Sequence, residues 1–156
     1  MATAQFGRVI TAMITPFTED GAVDYESAVA LAKHLVAHGS EGLLVGGTTG
    51  DGATMTAEEK LKLYTLIVDA VGKRGEGKKV PVMGNIGTIS TADTIAFGNK
   101  AKETGIDCAL VIVPFYVKPN QEGMYQHFTA VAKGVDLPLV LYKVPGRTGV
   151  YIQPET

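Results

Sequence analysis

The sequence predicts an α/β protein of the TIM (β/α)8-barrel type, of which this chain would supply about five strands and four helices. Three observations favour this fold. Short apolar runs alternate with longer amphipathic segments along all 156 residues. The runs are apolar throughout, as is typical of parallel strands that are covered on both faces. Successive runs begin roughly 30 residues apart, which is the length of one βα unit.

The strands are predicted where the apolar runs stand. The first covers residues 8–14 and ends before Thr15 and Pro16. The other four are predicted at residues 42–45, 80–83, 108–113 and 137–142. Each is rich in β-branched or aliphatic residues and is bounded by turn-forming residues, the usual signature of a strand.

Four helices are predicted between the strands, from apolar residues at helical spacing. They cover residues 24–38, 56–71, 91–104 and 121–133. Asp24 and Thr91 are candidate N-caps. Thr56, with Glu59 three residues later, forms the capping-box pattern. Pro154 stands where the first turn of a fifth helix would begin.

Five parallel strands can close in two ways. A doubly wound sheet would carry a phosphate loop after its first strand, but no Gly-x-Gly-x-x-Gly or Walker pattern follows Ile14. A complete (β/α)8 barrel needs about 250 residues. We therefore expect residues 1–156 to be the N-terminal portion of a single barrel domain. Alone, it would leave two apolar strand edges unpaired, so we expect it to aggregate, to self-associate or to be completed by a further segment.

Charge and composition argue against several classes of partner. The chain has 14 basic and 16 acidic residues and a formal charge of −2, which gives no electrostatic reason to expect nucleic acid or an anionic membrane. No run approaches the ~18 apolar residues of a spanning helix, and the N-terminus lacks a secretory-leader pattern. The single cysteine, Cys108, excludes an internal disulfide. We expect a cytoplasmic protein with neither nucleic-acid nor membrane partners.

Candidate functional residues follow the predicted strands, because a (β/α)8 barrel holds its active site at the C-terminal ends of its strands. After the second strand, Thr48 and Thr49 are flanked by glycines. Exposed backbone N–H groups beside two hydroxyls are suited to holding a small carboxylate. An ordinary Gly-rich turn fits the same pattern.

Two tyrosines and an arginine complete this predicted rim. Tyr116 follows the fourth strand and Tyr142 ends the fifth. A phenol at this position can relay protons, because its O–H group both donates and accepts hydrogen bonds. Arg147, in a Val-Pro-Gly-Arg-Thr-Gly segment, is suited to bidentate binding of a carboxylate. The position of each tyrosine alone also fits a buried core aromatic residue. The position of Arg147 alone also fits an exposed arginine in a surface loop.

The three histidines lie on predicted helices, away from the rim. His34 and His38 are four residues apart, a spacing that can ligate a metal, but no carboxylate stands near them in the sequence. We expect an exposed helix face there, and His127 also lies on a helix. The sequence predicts no metal and no cofactor.

Three segments resemble, in this order, the signature segments of the dihydrodipicolinate synthase family, also called 4-hydroxy-tetrahydrodipicolinate synthases. They read G-T-T-G-D at 47–51, P-F-Y-V-K-P-N-Q-E-G-M-Y-Q-H-F at 114–128 and L-Y-K-V-P-G-R-T-G at 141–149. The resemblance begins at I-T-A-M-I-T-P-F, residues 10–17, and covers nearly the whole chain. It matches the N-terminal half of the barrel of this family, which belongs to the pyruvate-dependent class I aldolases.

The resemblance implies a reaction and a set of residue roles. The family condenses pyruvate, held as a Schiff base on a lysine, with aspartate semialdehyde in the diaminopimelate route to lysine. By motif position, Tyr142 would shuttle protons, and Thr48 would link it to Tyr116, which in the family reaches into a neighbouring subunit's site. Thr49 would hold the pyruvate carboxylate and Arg147 that of the aldehyde. A homo-oligomer, dimer or tetramer, is therefore implied.

The Schiff-base lysine of the family lies on a sixth strand, which these 156 residues do not contain. Lys143 is a poor substitute, because strand alternation turns it away from the barrel interior if Tyr142 faces inward. We therefore expect the chain alone to be catalytically silent. Two alternatives stay open: a related aldolase, of N-acetylneuraminate lyase or keto-deoxy sugar acid type, and a non-catalytic half-barrel that self-associates. Arg147 and the threonine pair favour the synthase over the related aldolases.

Overall fold

The computed structural model describes residues 6–75 and 77–156, and residues 1–5 and 76 of the expected single domain lie outside this description. Five parallel strands form one sheet among the described residues: β1 (Ile10–Ala12), β2 (Gly42–Val45), β3 (Val82–Asn85), β4 (Cys108–Ile112) and β5 (Leu139–Tyr142). Their spatial order follows the chain, β1-β2-β3-β4-β5. A doubly wound sheet reverses its order at a switch point, whereas units around a barrel keep it. The predicted partial (β/α)8 barrel is confirmed.

Helices connect successive strands. They are α1 (Tyr25–Ala37), α2 (Ala57–Val71), α3 (Thr91–Glu103), α4 (Gln121–Gly134) and the short α5 (Pro145–Thr148). The first four are the predicted helices, whereas α5 was not predicted. Pro154 lies in a turn, and only two residues follow it in this sequence. Pro145 begins α5 and Gly149, with φ of 69°, ends it in the left-handed conformation that suits glycine.

Side-chain caps begin the first two helices as the sequence predicts. Asp24 Oδ1 accepts a hydrogen bond from the backbone N–H of Ser27 at 3.0 Å. At the start of α2, the N–H of Glu59 donates to Thr56 Oγ1 at 3.2 Å, and the N–H of Thr56 donates to Glu59 Oε2 at 2.8 Å. This reciprocal pair is the predicted capping box, and it begins α2 directly beyond the Gly-rich loop after β2.

The predicted cap of α3 is wrong by one residue. Ser90 caps this helix, because its Oγ accepts the N–H of Asp93 at 3.2 Å. The hydroxyl of Thr91 is instead hydrogen-bonded to His127 Nδ1 on α4, at 2.8 Å. The Thr91 hydroxyl, which the local pattern assigned to the cap, therefore joins α3 to α4 instead.

Prolines account for the late starts of β3 and β5. Pro81 and Pro138 lie inside the predicted strands, but a proline has no N–H to donate to the sheet. Regular pairing begins at Val82 in β3 and Leu139 in β5, directly after each proline. The prediction for the first strand is also too long, since β1 covers three residues.

Side chains alternate between the two faces of the sheet. Leu43, Val82 and Ala109 belong to the main core, which lies between the sheet and the helices. The residues that follow or precede them point to the opposite face, the inside of the half-barrel. There Leu44, Met83, Cys108, Leu110, Val140 and Tyr142 form a second cluster.

The outermost strands, β1 and β5, each pair with one neighbour within the described residues. Apolar side chains are exposed along both: Ile10 is 39% and Leu141 49% accessible. These are the unpaired apolar edges expected of a half-barrel. In the described part of the chain, no helix combines the length and the apolar character needed to cross a membrane.

Candidate active site

A cavity of about 440 Å³ opens at the C-terminal ends of β2 to β5. Its wall is built from the ends of these strands, the loops that follow them, two residues of α5 and one residue of α2. The lining residues are Gly47, Thr48, Asp51, Gly52, Ala53, Thr54, Lys60, Asn85, Gly87, Thr88, Ile112, Phe115, Arg147 and Thr148. This is the end of the strands at which a (β/α)8 barrel holds its active site.

The loop after β2 is a tight series of turns that only small residues permit. The N–H groups of Gly50 and Gly52 both donate to the carbonyl of Gly47, each at 3.1 Å. A Cβ at Gly52 would lie 1.8 Å from the carbonyl oxygen of Gly46, so no side chain fits there. Thr15, after β1, ties the loop down because its Oγ1 donates to the Gly50 carbonyl at 2.7 Å.

This loop brings one of the paired threonines to the cavity. Thr48, the predicted link between Tyr142 and Tyr116, is half-buried and lines the cavity. Thr49, the predicted ligand of the pyruvate carboxylate, is exposed and lies outside the cavity wall. Consecutive residues in a turn point in different directions, which separates the two hydroxyls.

Arg147 reaches the cavity from α5. The single-turn helix is held by the N–H of Arg147, which donates to the Val144 carbonyl at 2.8 Å, and by the N–H of Gly149, which donates to Pro145 at 2.9 Å. Thr148, almost fully buried, adds hydrogen bonds from its Oγ1 to the carbonyls of Val144 and Val150. The Pro-Gly-Arg-Thr-Gly segment therefore forms a rigid turn whose arginine lines the same cavity as Thr48.

Tyr142 ends β5 with its side chain on the inside of the half-barrel, in the cluster with Met83 and Leu110. It does not line the cavity. Lys143, one residue on, points elsewhere: its Nζ lies 3.5 Å from the centroid of the Tyr151 ring and 3.4 Å from the Ile152 carbonyl. The alternation argued from the sequence therefore holds at this strand end.

Tyr116 projects away from the fold. It is 85% exposed, and its φ of 64° lies in the left-handed region that residues other than glycine rarely adopt. It lies outside the cavity wall. Of the five predicted site residues, the structure therefore brings Thr48 and Arg147 into one cavity and places Thr49, Tyr116 and Tyr142 around it.

His34 lies exposed on α1 and His38, also exposed, caps the C-terminal end of this helix, with the two rings stacked at 4.0 Å between centroids. His127 is buried between α3 and α4, at 5% exposure, and burial lowers its pKa. Across residues 6–75 and 77–156, the His, Cys, Asp and Glu side chains form no group of three or more that is placed to hold a metal ion.

Asn85 and Lys60 line the cavity although neither is among the five predicted site residues. Asn85 ends β3, and its side chain bonds to Gly46 in the loop after β2. Lys60 reaches the cavity from the first turn of α2, and burial lowers the pKa of its ammonium. The signal for Lys60 was its place four residues after the capping threonine, beside the glycine-rich loop. The signal for Asn85 was a polar residue directly after an apolar strand.

The dihydrodipicolinate synthetase family matches residues 5–156, which is nearly the whole sequence. Among curated relatives, the 4-hydroxy-tetrahydrodipicolinate synthase of Symbiobacterium thermophilum is 54% identical over 97% of this chain and 50% of its own length. The 4-hydroxy-tetrahydrodipicolinate synthase of Thermosynechococcus vestitus is 52% identical over 97% of this chain and 50% of its own length. The chain therefore spans about half the length of these relatives.

Solved structures of similar proteins share the fold. A dihydrodipicolinate synthase of Bacillus anthracis superposes with a TM-score of 0.89 at 43% identity, over 97% of this chain and 50% of that one. The dihydrodipicolinate synthase of Cyanidioschyzon merolae, solved with lysine bound, superposes with a TM-score of 0.91 at 43% identity, over 96% of this chain and 50% of that one. Sequence and fold agree: this chain belongs to the dihydrodipicolinate synthetase family.

Proposed function

We propose that this chain is the N-terminal portion of a barrel that condenses pyruvate with aspartate semialdehyde to 4-hydroxy-tetrahydrodipicolinate, a step of lysine biosynthesis. The curated relatives are named for this activity. The observation that carries the proposal is that Thr48 and Arg147 line one cavity at the strand ends. A hydroxyl and a guanidinium in one site are suited to proton relay and to a carboxylate substrate.

The proposed roles follow the chemistry of each side chain. Tyr142 passes protons while the amine of a lysine attacks the pyruvate ketone and water leaves, and Thr48 links it to Tyr116. Thr49 holds the pyruvate carboxylate and Arg147 that of the aldehyde. The reaction on this proposal uses no metal and no cofactor, because the imine that the lysine forms with pyruvate accepts the electrons when the pyruvate methyl group loses a proton, and the resulting enamine attacks the aldehyde.

We propose that the nucleophilic lysine comes from outside these 156 residues. Lys143 lies against Tyr151 and the Ile152 carbonyl, on the opposite side of the strand from Tyr142. It is exposed, whereas a Schiff-base lysine requires a desolvated site. The chain alone is then catalytically silent.

Trapping tests this proposal. The chain is incubated with pyruvate and borohydride, alone and after mixing with the C-terminal half of the Symbiobacterium relative, and the adduct is located by mass spectrometry. We expect an adduct only in the mixture, on a lysine of the added half. An adduct on the chain alone would show that it carries its own nucleophile. No adduct and no condensation from a soluble, assembled mixture would contradict the proposed reaction.

Arg147 provides the sharper test of substrate class in the completed barrel. Arg147→Gln is expected to lower kcat/KM for aspartate semialdehyde by roughly 30-fold or more, because a charge-assisted bond to a carboxylate is lost. Formation of the pyruvate adduct should stay unchanged. Arg8→Gln, at an exposed position outside the cavity, is the matched control. A panel of sugar-acid substrates separates the synthase from a related aldolase.

A homo-oligomer, dimer or tetramer, is part of the proposal, with Tyr116 reaching a neighbouring subunit. Its support is the strained and 85% exposed position of this tyrosine. The unpaired edges of β1 and β5 favour a second candidate, a half-barrel that self-associates without turnover. Size-exclusion chromatography distinguishes them: a stable dimer of halves that traps no pyruvate when the C-terminal half is added supports the second.

We also propose a cytoplasmic location. Cys108 is the single cysteine and is fully buried. Burial and the nearby Asp107 carboxylate raise the pKa of its thiol to about 12, so the thiol stays protonated and unreactive. Fractionation of the source cells, with detection of the chain, tests this location.

A further inference from the structure

The helix that carries Arg147 is too short to hold its own shape. α5 is a single turn, Pro145–Thr148, and no side chain among the described residues caps its N-terminus. Helices this short are unstable in isolation, because one turn forms too few hydrogen bonds to offset the entropy of fixing its backbone. The position of Arg147 therefore depends on the chain on either side of α5. β5 ends before it at Tyr142, and an irregular segment, residues 149–156, follows it.

Gln121, the first residue of α4, binds the 149–156 segment. Its Nε2 donates a hydrogen bond to the carbonyl of Tyr151 at 2.8 Å. Its Oε1 accepts the N–H of Gln153 at 3.0 Å and the hydroxyl of Thr156 at 2.5 Å. One amide side chain thus joins the start of α4 to three residues that follow α5 in the chain.

Two further contacts lie between α5 and the residues that Gln121 binds. Thr148 Oγ1 donates to the Val150 carbonyl at 3.0 Å, which joins the last residue of α5 to the segment. A Cβ at Gly149 would lie 2.9 Å from Lys118 Cε, so the Lys118 side chain lies directly against this backbone. All these contacts are close to Arg147 in the chain, so a displacement of the segment would displace the arginine as well.

We propose that Gln121 is a positioning residue that fixes Arg147 on the wall of the cavity. This inference rests on the proposed function, in which Arg147 binds the carboxylate of the aldehyde substrate, and it adds a residue to which that function assigns no role. Bidentate binding of a carboxylate requires a defined orientation of the guanidinium, so a small displacement weakens it. Gln121 lies outside the cavity wall and therefore acts through Arg147 instead of on the substrate.

Cleavage by trypsin after Arg147 measures this positioning without turnover. A protease cuts a folded chain where it opens locally, and the rate follows the population of the open form. In Gln121→Ala we expect the Arg147–Thr148 bond to be cut roughly fivefold faster or more, the effect of losing about one net hydrogen bond. Mass spectrometry follows the products. Cleavage after Lys133, in the last turn of α4, should keep its rate and is the internal reference for global unfolding.

Two further variants assign the effect to the hydrogen bonds of Gln121. Gln126→Ala is the matched control, because Gln126 is also an exposed glutamine of α4, but its Nε2 donates to Glu122 of the same helix, at 2.7 Å. Gln121→Glu keeps an acceptor for the N–H of Gln153 and loses the donor to the Tyr151 carbonyl, so its cleavage rate should be intermediate. A carboxylate in the first turn is also favoured by the helix dipole, so this variant should fold.

Steady-state kinetics of the assembled barrel test the effect on the reaction. Gln121→Ala should raise KM for aspartate semialdehyde roughly fivefold or more, with kcat and formation of the pyruvate adduct kept within about twofold. In the Arg147→Gln background the same substitution should have no further effect, because the side chain through which it acts is gone. A general structural role would instead lower kcat/KM equally in both backgrounds.

Three results would overturn the proposal: equal cleavage after Arg147 in Gln121→Ala and the unchanged chain, an equal acceleration in Gln126→Ala, or an equal loss of kcat/KM in the Arg147→Gln background. If Gln121→Ala also accelerates cleavage after Lys133, the variant has unfolded and the cleavage rate of Gln121→Glu decides. An assembled barrel that condenses nothing would contradict the proposed reaction instead, and the cleavage rates would still decide whether Gln121 holds Arg147 in place.

Discussion

The side chain of Asn85 donates a hydrogen bond from Nδ2 to the carbonyl oxygen of Gly46 at 3.0 Å, which joins the end of β3 to the loop after β2. Its Oδ1 accepts the N–H of Gly87 at 3.3 Å. The hydroxyl of the buried Tyr64 donates to the Asn85 carbonyl at 2.6 Å. One amide and one phenol thus hold together the two loops that build most of the cavity wall.

Asn85→Ala is expected to lower the free energy of unfolding by about 1–3 kcal/mol, because the Gly46 carbonyl and the Gly87 N–H both lose a partly buried partner. Urea denaturation measures the change. Asn99→Ala is the matched control, since its Nδ2 also donates to a backbone carbonyl, that of Gly134 at 3.1 Å, but at the surface. Equal losses of stability in both variants would show that the Asn85 hydrogen bonds between the loops stabilise the fold no more than the surface hydrogen bond of Asn99 does.

Gly52→Ala tests how tightly the loop after β2 is built. The new Cβ would lie 1.8 Å from the Gly46 carbonyl oxygen, and backbone cannot yield as a flexible side chain does. We expect a loss of about 3 kcal/mol or failure to fold, measured by urea denaturation and soluble yield. Gly146→Ala is the control, because its Cβ would meet no atom of the described residues within 4 Å. A Gly52→Ala chain as stable as the unchanged one would refute this description of the loop.

Thr56→Ala removes the capping box of α2 and is expected to lower the free energy of unfolding by about 1 kcal/mol. The reason is that the N–H of Glu59 loses the hydroxyl that accepts it at 3.2 Å. Thr56→Ser keeps a hydroxyl at this position and should stay close to the unchanged chain. Thermal unfolding followed by circular dichroism compares the three, and an equal loss in both variants would assign the effect to the Thr56 methyl group instead.

Acid should destabilise the fold through His127. Burial lowers the pKa of its imidazole from the ordinary 6.5, and its buried Nε2 has no hydrogen-bond partner among residues 6–75 and 77–156. The unfolded chain therefore takes up a proton first as the pH falls. The contribution of His127 to stability is complete above about pH 6.5 and is lost below it, with a slope of at most about 1.4 kcal/mol per pH unit.

Urea denaturation between pH 7.5 and 5 (about the range in which histidine titrates) measures this loss. His127→Gln removes the titrating group and should flatten the profile over this range. His34→Gln serves as the control, because His34 lies exposed on α1. An unchanged slope in His127→Gln would assign the acid sensitivity to other groups.

Much of the fold could be predicted from local sequence patterns, and each error in the prediction has a specific physical cause. The capping box at Thr56 and Glu59 is contained in four residues, so the start of α2 is predicted correctly. The cap of α3 is misplaced because His127, on a distant helix, binds the hydroxyl of Thr91. Pro81 lies inside a predicted strand because an apolar run does not reveal where backbone pairing begins.

The sequence by itself determined the alternation of strands and helices, their parallel arrangement and the resemblance to a family, because hydrophobic periodicity and short motifs are local properties of the chain. Only the tertiary structure decided which side chains share the cavity. Thr48 and Arg147 line it, while Thr49 and Tyr142, their close neighbours in the chain, do not. Lys60 enters it through the packing of α2 on α3. Strand register and helix contacts join residues that lie far apart in the chain, so no local pattern contains this information.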